Sequence, residues 1–150
     1  MRVLVDTNIL LRSAQPNHSL FPQAQGAVSK LLRQGESLFF CAQNIAEFWC
    51  VATRPAGENG LGMKTDEVLK EIDIIEKVFN LLPDIPGIYP EWKRIVTHYR
   101  VEKAQVFDAR LVAVMKLYSV DHILTFNGKH FDRYANITAL QPAVVLSPNP

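Results

Sequence analysis

The chain has 150 residues, 48% of them hydrophobic and 21% charged, with a formal net charge of +1. These values suit one compact domain over residues 1–150 with a core of its own. They exclude a basic tail and any global attraction to nucleic acid, leaving only local patches, and no apolar run approaches the roughly 18 residues of a membrane span.

Arg2-Val3-Leu4-Val5 reads as a buried strand that runs into Asp6-Thr7-Asn8. Ile9 to Ser13 starts a helix, Pro16-Asn17-His18 breaks it, and a second helical pattern covers about Pro22 to Gln34 before Gly35 stops it. Ser37 to Ala42, aromatic and aliphatic, is the second expected strand, followed by a helix from about Asn44 to Thr53 that ends near Pro55. Ala56 to Met63 holds three glycines and reads as a mobile loop, after which Thr65 caps a long amphipathic helix through about Leu81. A short strand is expected within Pro83 to Ile88, and Pro90-Glu91-Trp92 opens a helix to about Tyr99. Asp108 to Tyr118 reads as helix, His122 to Phe126 as a buried strand and Ala143 to Leu146 as an edge strand. Short apolar runs alternating with helical stretches are the pattern of an α/β fold with a parallel sheet. Cys41 and Cys50 lie outside any Cys-x-x-Cys or His cluster and read as core thiols of a reduced, cytoplasmic protein; no signal segment is expected, since Asp6 and Asn8 interrupt the first apolar run.

The acids fall at particular places on this map. Asp6 follows a strand, Glu47 lies early in the helix after the second strand, Asp108 starts a helix and Asn127 follows a later strand. In a parallel sheet with right-handed crossovers, strand ends and the starts of the following helices gather along one edge. Carboxylates brought together there raise one another's pKa unless a cation joins them, and oxygen donors without His or Cys favour a hard ion, Mg²⁺ or Mn²⁺, over zinc. Each residue also has a plain structural role open to it. Asp108 suits a helix cap, Glu47 a partly exposed helix position, Thr7 and Asn8 a turn, and Asn127-Gly128 a turn as well. Asp6 is the hardest to explain this way, because an acid between two apolar runs must meet donors, a cation or water.

Val3-Leu4-Val5-Asp6-Thr7-Asn8-Ile9-Leu10, Ile45-Ala46-Glu47-Phe48, Phe107-Asp108-Ala109-Arg110-Leu111-Val112-Ala113 and Leu124-Thr125-Phe126-Asn127 together resemble the motifs of PIN-domain proteins, specifically the VapC-like toxin ribonucleases of type II toxin-antitoxin systems. The resemblance spans nearly the whole chain and implies a three-layer α/β/α sandwich on a central parallel sheet. It also implies RNA cleavage with Mg²⁺ or Mn²⁺, a cognate antitoxin and a homodimer. Matched by motif, Asp6, Glu47 and Asp108 are the metal-binding carboxylates and Thr125 is a site hydroxyl, supported by Thr7 and Asn8. The fourth position departs from the pattern. Many relatives carry Asp where this chain has Asn127, and Lys129-His130-Phe131-Asp132 offers one acid displaced along the loop. The loss of a charge leaves one well-held ion and a weaker second.

Phosphodiester hydrolysis requires a water deprotonated and aimed in line at phosphorus, with the developing charge stabilised. Arg12, Arg110, Lys129 and His130 are expected phosphate contacts because they neighbour the site motifs in sequence. Phe48, Trp49, Leu69, Ile72, Ile75, Phe79 and Trp92 are apolar candidates for the core or for a shared partner surface. Two other readings stand beside the nuclease. A strand-end Asp can be a phosphohydrolase nucleophile, though Asn8 stands where such enzymes need a second Asp. Alternatively, an inactive domain can persist as an RNA- or protein-binding module, a reading that Asn127 favours and three retained acids oppose.

Overall fold

Alternation along the first strand sets the layers. In the computed structural model, which describes residues 1–148, β1 (Arg2–Val5) buries Val3 and Val5 into one hydrophobic cluster and Leu4 into another on the opposite face. A strand apolar on both faces must be covered on both, so β1 takes the middle of the sheet. It pairs in parallel with β2 (Ser37–Cys41) on one side and β4 (His122–Leu124) on the other. β3 (Asn80–Leu82) extends the sheet beyond β2 and β5 (Thr138–Leu140) beyond β4, giving the order β3-β2-β1-β4-β5, parallel throughout. The expected span of 1–150 runs past the described residues at Asn149 and Pro150.

The helices form the two outer layers, as expected for an α/β/α sandwich. α1 (Thr7–Ser13), α2 (Phe21–Arg33), α3 (Ala42–Thr53) and α4 (Thr65–Val78) contribute Leu10, Val28, Leu31, Phe48, Val68 and Ile72 to the cluster on the Val3 and Val5 face. α5 (Ile88–His98) and α6 (Gln105–Leu117) contribute Ile88, Ile95, Leu111, Val112 and Met115 to the Leu4 face. No helix among the described residues is long and apolar enough to cross a membrane.

Several expected boundaries are corrected. The first helix begins at Thr7 rather than Ile9, because the Asp6 carboxylate accepts the Thr7 N–H and serves as its cap. α6 starts at Gln105, so Asp108 is its fourth residue and caps nothing. Thr65 is the first residue of α4, and Lys64 holds the cap position with its backbone N–H donated to Glu67. That helix stops at Val78, since Phe79 turns extended and Asn80–Leu82 pairs with β2; this is β3, and the segment from Pro83 to Ile88 contains no strand. Ala143 to Leu146 is part of a short helix, α7 (Pro142–Leu146), opened by Pro142 at its first position, and the edge strand lies just before it.

The glycine-rich loop after α3 is pinned rather than free. Leu61, Gly62 and Met63 donate backbone hydrogen bonds to the carbonyls of Val51, Arg54 and Ala52, returning the chain onto the end of α3. Gly60 permits this, because a Cβ there would fall 2.0 Å from the Arg54 carbonyl oxygen. Cys41 is a buried thiol as expected, whereas Cys50 faces outward on α3.

Candidate active site

The sheet order reverses between β1 and β4: the chain moves outward from β1 through β2 to β3, then returns to place β4 on the other side. Crevices at such a reversal, beyond the carboxyl ends of the strands, are where open α/β sheets bind ligands. Asp6 follows β1 and Thr125 follows β4, so these two residues face each other across the crevice. Thr125 donates its hydroxyl proton to Asp6 Oδ2 at 2.7 Å, and Asn8 Nδ2 donates to the same oxygen at 3.1 Å. The Thr7 backbone N–H donates to Oδ1 at 2.8 Å. Asp6 is 7% exposed and Thr125 fully buried.

These donors orient the acid without fully relieving its burial. The Asp6 carboxyl is pushed up to about 6, chiefly by loss of water; the Thr125 and Thr7 hydrogen bonds act against this, and the charges of Asp108 and Glu47 add to it. Asp108 is likewise held above the usual carboxylate range by burial, with Glu47 adding to the rise and His130 opposing it. Glu47 and Asp108, far from Asp6 in sequence, therefore act on it through space, as Glu47 does on Asp108.

Glu47 is set by a second group of hydrogen bonds. It lies in the second turn of α3, where Thr7 Oγ1 donates to Oε2 at 2.7 Å and Gln43 Nε2 to Oε1 at 2.7 Å. Thr7 is positioned in turn by Asn44, whose Nδ2 donates to Oγ1 at 3.2 Å. Asn44 is fully buried, and its Oδ1 accepts the Cys41 backbone N–H at 2.9 Å, holding the β2–α3 junction. Gln43 also donates to the Phe107 carbonyl at 2.8 Å and accepts from Arg110 Nη1 at 3.2 Å, so one amide joins α3 to the first turns of α6 beside Asp108.

The remaining candidates are placed unequally. His130 Nδ1 lies 3.2 Å from Asp108 Oδ2, delivered by a 3₁₀ turn (Gly128–Phe131) that the buried Phe131 anchors. Arg110 bridges Gln43 and Asp84, the latter at 3.4 Å from Nη2. Asn127 is exposed and donates its backbone N–H to Thr125 Oγ1 at 3.0 Å, capping the 3₁₀ turn. Asn8 links the loops, its Oδ1 accepting the Phe126 N–H at 3.2 Å. Lys129 is exposed on the same turn as His130. Arg12 is directed to Gln15 at the far end of α1, with Nη1 2.7 Å from Oε1, and is not gathered with the acids. Gln43 and Asn44 were not among the expected site residues; they directly precede the Ile45–Phe48 motif that contains Glu47, which is the one sequence signal they carry.

Oxygen donors from carboxylates suit a hard divalent ion, and Asp6, Glu47 and Asp108 retain lone pairs beyond those their donors use. Among the described residues no three His, Cys, Asp or Glu side chains stand close enough to enclose an ion unaided.

The family model for the PIN domain matches residues 3–137. No curated protein matches the chain. Among solved structures, VapBC-1 from nontypeable Haemophilus influenzae superposes with a TM-score of 0.70 at 14% identity, covering 95% of this chain and 99% of that one. VapBC2 from Rickettsia felis, bound to a DNA fragment from its promoter, gives 0.69 at 14% identity over 94% and 98%. VapC20 of Mycobacterium tuberculosis, a toxin that cleaves the sarcin-ricin loop, gives 0.62 at 16% identity over 85% and 92%. At these identities the likeness is one of fold.

Proposed function

Since the chain belongs to the PIN domain family, we propose that it is a metal-dependent endoribonuclease, the toxin of a toxin-antitoxin pair. The observation that carries this reading is the placement of Asp6, Glu47 and Asp108 at the reversal point of the sheet, where burial and the neighbouring carboxylates hold Asp6 and Asp108 above the usual carboxylate range, a cost that a cation would relieve. The solved structures of the VapC and VapBC type support the same reading through their shared fold. Asp6, Glu47 and Asp108 would hold Mg²⁺ or Mn²⁺. Such an ion supplies charge stabilisation at the phosphate and lowers the pKa of a water.

The rest of the chemistry belongs to the side chains. Thr125, Asn8 and the Thr7 N–H fix the Asp6 carboxylate plane, while Thr7 and Gln43 fix Glu47. Both acids are thereby held before the substrate arrives, which is what positioning of a nucleophilic water demands. His130 stands on Asp108, within the candidate phosphate path, and Arg110 supplies a guanidinium on the β3 side. Lys129 extends the path outward. Asn127 contributes neutral oxygen at the position where many relatives carry an acid, so the site's charge favours one ion.

An antitoxin would cover the exposed apolar positions of α4, Leu69, Ile74 and Val78, and a homodimer is part of the same reading. The VapBC structures, which share the fold, support an antitoxin partner. The test is cleavage of RNA by the purified protein with Mg²⁺ or Mn²⁺, with chelator and Asp6→Asn as controls. Loss of cleavage in both controls is expected; equal residual cleavage by wild type and Asp6→Asn would remove the nuclease assignment.

A further inference from the structure

A cavity of about 410 Å³ opens just past the end of β3, on the same edge of the parallel sheet as Asp6. Its lining includes Asp84, Ile85, Tyr89, Trp92 and Arg110. Its volume is enough to admit a small planar group. Two aromatic rings lie along it. Trp92 is fixed to α6, its Nε1–H donated to the Val106 carbonyl at 2.8 Å, while Tyr89 stands 66% exposed with its ring centroid 6.4 Å from that of Trp92 and tilted 30° to it. A tyrosine so exposed beside an anchored tryptophan gains nothing from folding and is available to a flat partner.

The polar groups at this cavity are as informative as the rings. Asp84 offers acceptors and Arg110 offers donors, with 3.4 Å between them, so one planar molecule carrying both donor and acceptor atoms could satisfy the two together. Arg110 also ties the cavity to the acids, since its other nitrogen donates to Gln43, which in turn donates to Glu47. The cavity is thereby linked to Glu47 through Arg110 and Gln43. An apolar peptide side chain would leave the Asp84 and Arg110 pair without use, whereas an unpaired nucleobase uses the rings by stacking and the ion pair by its edge.

From this we infer that the cavity formed by Tyr89, Trp92, Asp84 and Arg110 is a subsite that takes one unpaired base of the RNA flanking the bond to be cut. The inference rests on the ribonuclease reading for its substrate but concerns residues outside the metal centre. It makes the preferred substrate a single-stranded or looped RNA, because a base held in a duplex cannot present its face to Tyr89.

The test uses the full chain carrying Asp6→Asn, so that RNA stays intact, with a short single-stranded oligoribonucleotide and a series in which one nucleotide at a time is made abasic. Indole emission and anisotropy report binding. Tyr89→Ala should weaken binding about tenfold, as stacking on one ring predicts, and Tyr89→Phe should restore it. One abasic position should cost a similar factor in the Asp6→Asn protein and nothing further once Tyr89→Ala is added. Quenching of indole emission should vanish with that same abasic oligonucleotide and in Trp92→Phe. A flat abasic series, with Tyr89→Ala binding as tightly as its parent, overturns the inference while cleavage by wild type keeps the nuclease reading. Base-dependent binding without cleavage by wild type would remove the nuclease reading, and with it the placing of the subsite beside a cut bond, leaving a base-binding pocket. A change in molecular mass on Tyr89→Ala with unaltered RNA affinity makes the face a protein contact and also overturns the inference.

Discussion

Asp6 brings an unusual charge balance to the folded state. Its carboxyl is raised to about 6, against about 4 for an unperturbed aspartate, so between those values the folded protein binds a proton that the unfolded chain has released. The contribution is fully present below about pH 4 and is lost as pH rises through about 6. In chelator, stability should therefore fall by roughly 3 kcal/mol across that window, a slope read from urea unfolding at a series of pH values. Asp6→Asn should abolish most of the slope. Gln43 gives a second expectation at this scale. Gln43→Leu removes the donor to Glu47 and the acceptor of Arg110 together, and a loss of kcat of about tenfold with a folded protein is expected from steady-state RNA cleavage. Asp6, Glu47 and Asp108 were legible in the sequence because each places a charge against apolar neighbours. Gln43 and Asn44 were not, since a neutral amide on a helix is ordinary until the packing of α3 on α1 and α6 shows what it touches.

At the scale of elements, the junction between β2 and α3 is held by one side chain. Asn44 satisfies the Cys41 N–H at the start of the helix and supports Thr7 of α1, all within the protein interior. Asn44→Ala leaves buried donors and acceptors unmatched and should cost about 1–3 kcal/mol in chemical denaturation, with Glu47 loosened through Thr7. The three central strands were readable because Val3-Leu4-Val5, Leu38-Phe39-Phe40 and Ile123-Leu124 are apolar on both faces. The edge strands were not. Leu81 and Leu82 extend the apolar spacing of α4, so nothing local separates helix from strand there, and only pairing with β2 decides it. Thr138–Leu140 is too short to carry a pattern, and the valines after Pro142 looked more strand-like than the strand itself until they were seen packed as a helix against α2.

For the whole molecule, the acids sit on elements far apart in sequence: Asp6 between β1 and α1, Glu47 on α3, Asp108 on α6. A cation joining them would oppose opening of the entire sandwich. Mg²⁺ or Mn²⁺ at a hundredfold excess over its Kd should add about 2.7 kcal/mol to stability, seen as a rise in Tm that chelator reverses and Asp6→Asn lacks. The position of β1 has a further consequence, for the order in which the chain is made. Its second edge stays open until His122–Leu124 has been synthesised, and Asp6 meets Thr125 only across 119 residues of sequence. Closing so long a loop is a late event in folding. A nascent chain that has passed Asp108 but not yet reached β4 thus carries all three acids without the Thr125 bond to the first of them, and the ribosome translating it holds a fragment without an assembled site.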